Sequence, residues 1–170
     1  MIFVKYNISN LIKEFEKEII ITQTIQPDAL EVKSNTDIEF ISPIQIDAKL
    51  TYNGKEVNLK GNLSFKVQTK CDRCLETLKK YLIFSIDELF TSDENDENYN
   101  IVNYTIDILP VIYDNLYLQL PTKFLCKENC KGICIKCGKN KNIEECNCQN
   151  EEIDSRFAVL KNYFENNKNR

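Results

Sequence analysis

The chain has 170 residues, with 42% apolar side chains, 26 acidic against 22 basic residues, eight cysteines and no histidine. This composition suits one globular domain and excludes Ser-His-Asp and Cys-His catalysis, because both need an imidazole. No stretch approaches the roughly 18 consecutive apolar residues of a transmembrane helix, so we expect no membrane span and no membrane partner.

The first half of the chain is predicted to be rich in β-strands. From Ser42 onward, apolar residues at 44, 46, 48 and 50 alternate with polar ones, which indicates a half-buried strand. Asn53-Gly54 is predicted to form a two-residue hairpin loop, and Gly61 is interpreted as a bulge in the return strand that starts at Glu56. The other predicted elements are strands over 2–8, 18–25 and 75–89 and a short helix over 11–18 capped by Ser9 or Asn10.

The residues between Lys80 and Lys123 are strongly acidic, with eight carboxylates and no basic side chain. Half of these carboxylates fall in a loop predicted over 91–100, for which a solvated loop is the simplest interpretation. Because the net charge is −4, the chain is a poor candidate for binding bare phosphate backbone over its whole surface. Its acidic face instead suits a basic partner.

The remaining chain is predicted to contain an edge strand over 101–106 and a helix over 107–120. Residues 126–148 hold six cysteines without apolar periodicity, so something other than a hydrophobic core must hold them. Asp154 is the predicted N-cap of a last helix. We therefore predict one α+β domain over 1–170, with a mainly antiparallel sheet, short helices and a C-terminal cysteine-rich zinc ribbon. Its predicted parts are a β-rich part over 1–122, a zinc-binding ribbon over 123–150 and a C-terminal helix over 154–166.

The eight cysteines are the most informative feature, because they form four chelating pairs. The start of the chain lacks a signal-peptide pattern, so we expect a reducing cytoplasm, where clustered cysteines favour metal over disulfides. A CxxC turn places two sulfurs at one corner of a tetrahedral zinc site, and Gly138 after the third pair lets its turn close. We expect two zinc ions, and interleaved pairings of the eight ligands remain open. The preferred partition joins Cys71 and Cys74 to Cys126 and Cys130, and Cys134 and Cys137 to Cys146 and Cys148.

Three other interpretations of the cysteines compete with zinc. Cys130, Cys134 and Cys137 match the CxxxCxxC spacing of radical enzymes with an iron–sulfur cluster, but those enzymes need a large barrel and only 33 residues follow Cys137. Cys71-Asp-Arg-Cys74 could be a redox-active dithiol, although that chemistry favours a helix N-terminus over a hairpin tip. One or two of the cysteines could also be small buried hydrophobes.

Six lysines fall within residues 123–148, and they have two interpretations. The simpler one is that they offset the negative charge of four-thiolate zinc sites. The alternative is an RNA-contacting ribbon, which would lack an aromatic platform beyond Phe124.

The order of these motifs resembles the YceD-like family, which is named for large ribosomal RNA subunit accumulation. Ile135 and Ser155 depart from that family's pattern, which tends to have proline at both positions, but neither is a ligand. The resemblance implies a non-enzymatic role in accumulation of the large-subunit ribosomal RNA, hence in ribosome assembly, and it supplies no catalytic residues. The segments that carry it are Cys71-Asp-Arg-Cys74-Leu75, Asp107 through Leu118-Gln-Leu-Pro121, Cys126 through Asn142, Cys146-Asn-Cys148, and Asp154 through Leu160.

Two functions from different classes follow. The favoured one is a cytoplasmic assembly factor that binds a ribosomal protein or a pre-ribosomal particle through its acidic face, from Asp87 to Asp114. In this hypothesis the zinc ribbon positions the contact, and its lysines offer a contact to ribosomal RNA. The alternative is an RNA-processing enzyme or a thiol oxidoreductase that uses the CxxC pairs. A nuclease would need paired carboxylates for Mg²⁺ on a rigid scaffold, whereas the carboxylates here concentrate in a loop.

Overall fold

A computed structural model describes residues 4–27, 38–92 and 99–148. The main sheet has the strand order β2-β4-β5-β6-β7, with β3 also paired to β5, while β1 and β8 pair with each other apart from it. All of these pairings are antiparallel except that of β6 with β7. The elements are β1 (Lys5–Asn7), α1 (Ser9–Ile12), β2 (Glu18–Ile25), β3 (Glu39–Phe40), β4 (Ile44–Tyr52), β5 (Val57–Lys70), β6 (Thr77–Thr91), β7 (Tyr99–Asn100), β8 (Thr105–Asp107) and α2 (Leu109–Gln119).

The central strands β4, β5 and β6 follow the predicted alternation of apolar and polar residues. Every second residue of β4 from Ile44 to Leu50 is buried, and the residues between them are exposed. The ladder between β5 and β6 is continuous, from Val57 opposite Phe90 to Lys70 opposite Thr77. Strands β5 and β6 therefore form one long hairpin, whose turn is formed by residues 71–76. A mainly antiparallel sheet with short helices is confirmed.

Two details of the first hairpin differ from the prediction. Tyr52 pairs with Val57, so the β4–β5 loop has four residues rather than two. The loop is longer because the Asn53 carboxamide oxygen accepts hydrogen bonds from the backbone N–H groups of Lys55 (2.9 Å) and Glu56 (2.7 Å).

Gly61 is not at a bulge, because the register of β4 and β5 is unbroken around it. It lies opposite Ala48, and a Cβ atom at residue 61 would collide with the carbonyl oxygen of Asp47 and with the Ala48 Cα. The glycine is therefore required by the close approach of two strands.

The predicted edge strand over 101–106 is wrong in its bounds. Val102 and Thr105 form an isolated bridge around Asn103 and Tyr104, whose φ angles of 51° and 56° turn the chain back. Only Thr105–Asp107 is a strand, and it pairs with β1. The first helix is also shorter than predicted: it runs from Ser9 to Ile12, and Glu14 has a φ of 60°. Its N-cap is Ile8, so the predicted cap at Ser9 or Asn10 is wrong.

One face of the main sheet is buried and the other is exposed. The two helices and the β1–β8 pair contribute the buried residues that pack against the sheet, among them Leu11, Ile106 and Leu116. The helix predicted over 107–120 is confirmed as α2, in which Pro110 lies in the first turn. Neither helix in the described part of the chain is long and apolar enough to cross a membrane. The predicted last helix over 154–166 and most of the acidic loop lie outside the described residues.

Candidate metal centre

The first cysteine cluster joins the turn of the long hairpin to the segment that follows α2. Cys71 and Cys74 come from the turn, and Cys126 and Cys130 come from that segment. The Sγ atoms of Cys71 and Cys130 are 3.8 Å apart, those of Cys74 and Cys126 are 3.6 Å apart, and all four lie within 4.8 Å of one another. Residues 52 to 59 positions apart in the chain thus converge on one point.

The sulfur separations fit four ligands of a single tetrahedral ion. A thiolate–zinc bond of about 2.3 Å implies sulfur–sulfur edges of about 3.8 Å in a regular tetrahedron. A disulfide would need the sulfurs at about 2.05 Å, and all eight cysteines are free thiols. Each cluster can therefore hold one metal ion.

The electrostatics of the first cluster favour a cation at its centre. Burial raises the pKa of the Cys71 thiol, but the backbone N–H groups of Cys126, Cys74 and Arg73 lower it to about 6 overall. The backbone N–H of Glu76 lowers the pKa of Cys74, yet burial and the neighbouring Cys71 raise it to about 12. Thiols in contact cannot all ionise alone, because like charges at this separation repel. A bound divalent ion removes that repulsion.

The two residues between Cys71 and Cys74 hold the segment that follows α2 by hydrogen bonds that need no metal. The backbone N–H of Asp72 donates to the Phe124 carbonyl (2.9 Å), and its carboxylate accepts from the Phe124 N–H. The Arg73 carbonyl accepts from the Ile133 N–H (2.9 Å), while its guanidinium donates to the Cys130 carbonyl (3.1 Å). The two residues between the cysteines are thus docking residues, a role that their CxxC motif did not predict.

The second cluster is local to the cysteine-rich segment, and its four Sγ atoms also lie within 4.8 Å of one another. The Gly138 N–H donates to the Cys134 carbonyl (2.8 Å), and its φ of 72° closes the turn as the sequence predicted. The backbone N–H groups of Cys137 and Lys136 lower the pKa of Cys134 to about 6 against the effect of burial. The second cluster is less enclosed than the first, because one of its four cysteines is buried, against three of four in the first cluster. Its members are Cys134, Cys137, Cys146 and Cys148.

Asn142 connects the two clusters. It lies in the loop between the two halves of the second cluster, but its side-chain amide donates to the Cys130 sulfur of the first cluster (3.2 Å). Its carboxamide oxygen accepts from the Lys131 N–H (2.9 Å), and its amide also donates to the Asn140 side chain (2.9 Å). A hydrogen bond to a ligand sulfur orients the ligand and stabilises its charge. The sequence signal that could have indicated this role is the pair of asparagines, Asn140 and Asn142, shortly after the Cys137-Gly138 turn.

The geometry answers several questions that the sequence left open. The two clusters are those of the preferred partition, and no interleaved pairing occurs among the described residues. The CxxxCxxC triplet is divided, with Cys130 in one cluster and Cys134 and Cys137 in the other. Cys71 and Cys74 lie in a hairpin turn rather than at a helix N-terminus. All eight predicted site residues are thus brought together in two groups of four.

Comparison with known proteins places both clusters in one family. The family model "Large ribosomal RNA subunit accumulation protein YceD" matches residues 59–163, more than half of the chain and all eight cysteines. A Bacillus subtilis protein named YlbN is 28% identical over 144 residues, which are 81% of this chain and 83% of that protein. No solved structure matches.

Plant relatives carry the family's name. The Arabidopsis thaliana protein named large ribosomal RNA subunit accumulation protein YCED homolog 1, chloroplastic, is 24% identical over 159 residues, which are 73% of this chain and 49% of that protein. The Zea mays protein of the same name is 35% identical over 60 residues, which are 35% of this chain and 20% of that protein. The expected resemblance is confirmed: the chain belongs to the YceD family of large ribosomal RNA subunit accumulation proteins.

Proposed function

We propose that this protein supports accumulation of the large-subunit ribosomal RNA as a non-enzymatic assembly factor of the cytoplasm. The observation that carries the proposal is that the family match covers the whole hairpin turn and both cysteine clusters. In this proposal the partner is a ribosomal protein or a pre-ribosomal particle.

In this proposal each cysteine cluster holds one zinc ion with a structural role. Four sulfurs at tetrahedral spacing are a ligand set that zinc prefers, and it leaves no open position for a substrate. When bound, zinc cross-links the chain segments that supply the cysteines and neutralises part of the charge of their thiolates. The chain's own residues, including Asp72 and Arg73, fix the orientation of the joined segments.

A basic ribosomal protein is the partner favoured by the acidic stretch between Lys80 and Lys123. Asp87 and Asp114 are described members of this stretch; Asp87 pairs with Lys60 (3.1 Å), and Asp114 accepts a hydrogen bond from Tyr99 (2.7 Å). Carboxylates that already have partners contribute less to association. In this proposal the main contribution comes from the loop over 91–100, because four carboxylates are concentrated there in the sequence.

A complementation experiment tests the proposed function. A bacterial strain depleted of its own family member is given the wild-type chain or Cys71→Ser, and the ratio of large- to small-subunit ribosomal RNA is measured. We expect the wild type to restore the ratio and Cys71→Ser to fail, because one ligand of the long-range cluster is lost. Lys55→Gln is the matched control, since this side chain is exposed in the β4–β5 loop and distant in sequence from every cysteine. Failure of the wild type would refute the proposed function, and full restoration by Cys71→Ser would refute the structural role given to the first cluster.

The enzyme alternative is tested on the purified protein. An RNA-processing enzyme would cleave ribosomal RNA precursors with Mg²⁺, and a thiol oxidoreductase would reduce a model disulfide with turnover. We expect neither activity. Turnover that disappears in Cys74→Ser would replace the assembly-factor proposal with a redox one.

A further inference from the structure

The exposed face of the main sheet carries a cationic and aromatic patch at its cysteine end. On this face Lys66 lies directly opposite Tyr81, and Gln68 lies opposite Lys79. Tyr81 is 57% exposed and its neighbour Ile83 is 61% exposed. Both lie on the part of β6 that pairs with β5 on one side and with no other described strand. We call Lys66, Lys79, Tyr81 and Ile83 the sheet-face patch.

A groove of about 470 Å³ opens beside the patch, with Lys66 and Tyr81 in its wall. The rest of its lining combines the polar residues Thr24, Ser42, Gln45 and Ser64 with the apolar residues Pro43 and Phe65. Binding sites for small organic groups commonly have volumes of about 300–1,000 Å³. The groove is thus large enough for a nucleobase and offers hydrogen-bonding groups on one side and an aromatic ring on the other.

The lysines at the two ends of the exposed sheet face differ in whether a carboxylate neutralises them. At the end away from the cysteines, Lys49 pairs with Glu18 (3.7 Å) and Lys60 pairs with Asp87 (3.1 Å). In the described parts of the chain, neither Lys66 nor Lys79 forms an ion pair. The carboxylate of Glu39 reaches the patch edge, where it accepts a hydrogen bond from Gln68 (3.2 Å). The cysteine end of the face therefore presents cations that an anionic ligand can approach.

The combination of features fits single-stranded RNA. Lysine ammonium groups contact phosphates, and an exposed tyrosine ring on a sheet offers a base a stacking surface. The cysteine-rich segment lacks this combination: its one aromatic residue, Phe124, is buried, and Lys139 is paired with Glu144 (2.9 Å). An acidic peptide would use the lysines but would leave Tyr81 and the groove beside it without a specific role.

We propose that the sheet-face patch contacts single-stranded RNA, with Lys66 and Lys79 on phosphates and a base stacked on Tyr81 over the groove. The inference rests on the proposed function, since it gives the pre-ribosomal particle an RNA contact on this face. It replaces the lysine-rich ribbon as the expected RNA contact and leaves the acidic loop free for a basic protein.

The test is binding of a fluorescein-labelled 12-nucleotide oligouridylate to the full-length, zinc-loaded chain, followed by fluorescence anisotropy at several salt concentrations. Because each phosphate contact contributes about 0.7 to the slope of log affinity against log salt, Lys66→Gln with Lys79→Gln should reduce that slope by about 1.4. Tyr81→Ala should weaken binding by about 5- to 150-fold, and Tyr81→Phe should bind like the wild type.

The matched control is Lys49→Gln with Lys60→Gln, which makes the same charge change on the same face of the sheet, at positions on β4 and β5. This control should leave the slope and the affinity unchanged. Unaltered melting temperature and zinc content in every variant show that the fold is intact. Equal losses in the two double variants, or no effect of Tyr81→Ala, would overturn the proposal in favour of general electrostatic attraction. A photocrosslinker at residue 81 that captures a ribosomal protein and no RNA would also overturn it.

Complementation separates this inference from the proposed function. If sheet-face variants restore large-subunit ribosomal RNA and bind oligouridylate normally while Cys71→Ser fails to restore it, the RNA contact is wrong and the assembly role stands. If the wild-type chain itself fails to restore it, the proposed function is wrong.

Discussion

Asn142→Ala is the substitution that best probes how the two clusters act together. It removes the amide that donates to the Cys130 sulfur at 3.2 Å and the oxygen that accepts from the Lys131 N–H at 2.9 Å. A hydrogen bond to a charged group contributes about 1.5–3 kcal/mol. The Lys131 N–H is exposed and gains water in exchange, so the sulfur contact dominates. Loss of a hydrogen bond to a metal ligand typically weakens metal affinity by about 10- to 100-fold.

The assay is native mass spectrometry of the zinc-loaded chain during titration with a chelator. We expect the ion of the first cluster to leave at a chelator concentration about 10- to 100-fold lower in Asn142→Ala than in the wild type. Faster hydrogen exchange at residues 71–76 identifies the cluster that has lost its ion. Asn142→Asp should weaken the site further, because it adds negative charge beside a thiolate.

Ile143→Ala is the control for this experiment, since the neighbouring side chain in the same loop is 71% exposed. It should release zinc like the wild type. If Asn142→Ala also behaves like the wild type, Asn142 does not support the first cluster. Equal weakening in both variants would mean that any change in this loop disturbs the cluster.

Three further variants test the fold and the charged surfaces. Gly61→Ala should lower the melting temperature by about 6–12 °C, because the collision with the facing strand is a backbone clash of about 3 kcal/mol, while Asn62→Ala should change it little. Tyr99→Phe should cost about 1 kcal/mol at pH 8, where the hydroxyl donates to Asp114. Burial, the hydrogen bond to Asp114 and the charge of Asp114 raise the pKa of Tyr99. The stabilising effect of the Tyr99 hydroxyl is therefore complete below about pH 10 and declines as the pH rises further. A stability difference between wild type and Tyr99→Phe that does not depend on pH would refute this expectation. Neutralising four loop carboxylates should slow association with a basic ribosomal protein below physiological salt without changing melting or zinc content, and an unchanged association rate would exclude the loop as the contact. The four loop substitutions are Asp93→Asn, Glu94→Gln, Asp96→Asn and Glu97→Gln.

The strands of the main hairpins were predictable because their signal is local. Alternation of apolar and polar residues depends on one buried face, and the whole run from Ile44 to Leu50 obeys it. The preferred cysteine partition was indicated by the sequence, since a CxxC pair needs two more ligands and the pairs from Cys134 to Cys148 are close together. The sequence left interleaved pairings open, and the positions of the sulfur atoms decide between them.

Features that depend on a distant partner were not predictable. Gly61 suits a bulge and a close strand approach equally well, and only the position of Ala48 decides between them. The short strand over 105–107 forms because β1 from the start of the chain lies beside it. Asn142 contacts a sulfur twelve residues away, across the boundary between two clusters that the sequence presents as separate.

The metal content of the purified chain tests the central claim most directly. Elemental analysis of protein prepared without added metal should give close to two zinc ions per chain for the wild type and close to one for Cys71→Ser and for Cys137→Ser, since each variant loses a ligand of a different cluster. A chain without zinc, or one that contains iron with inorganic sulfide, would contradict the account of two structural zinc sites.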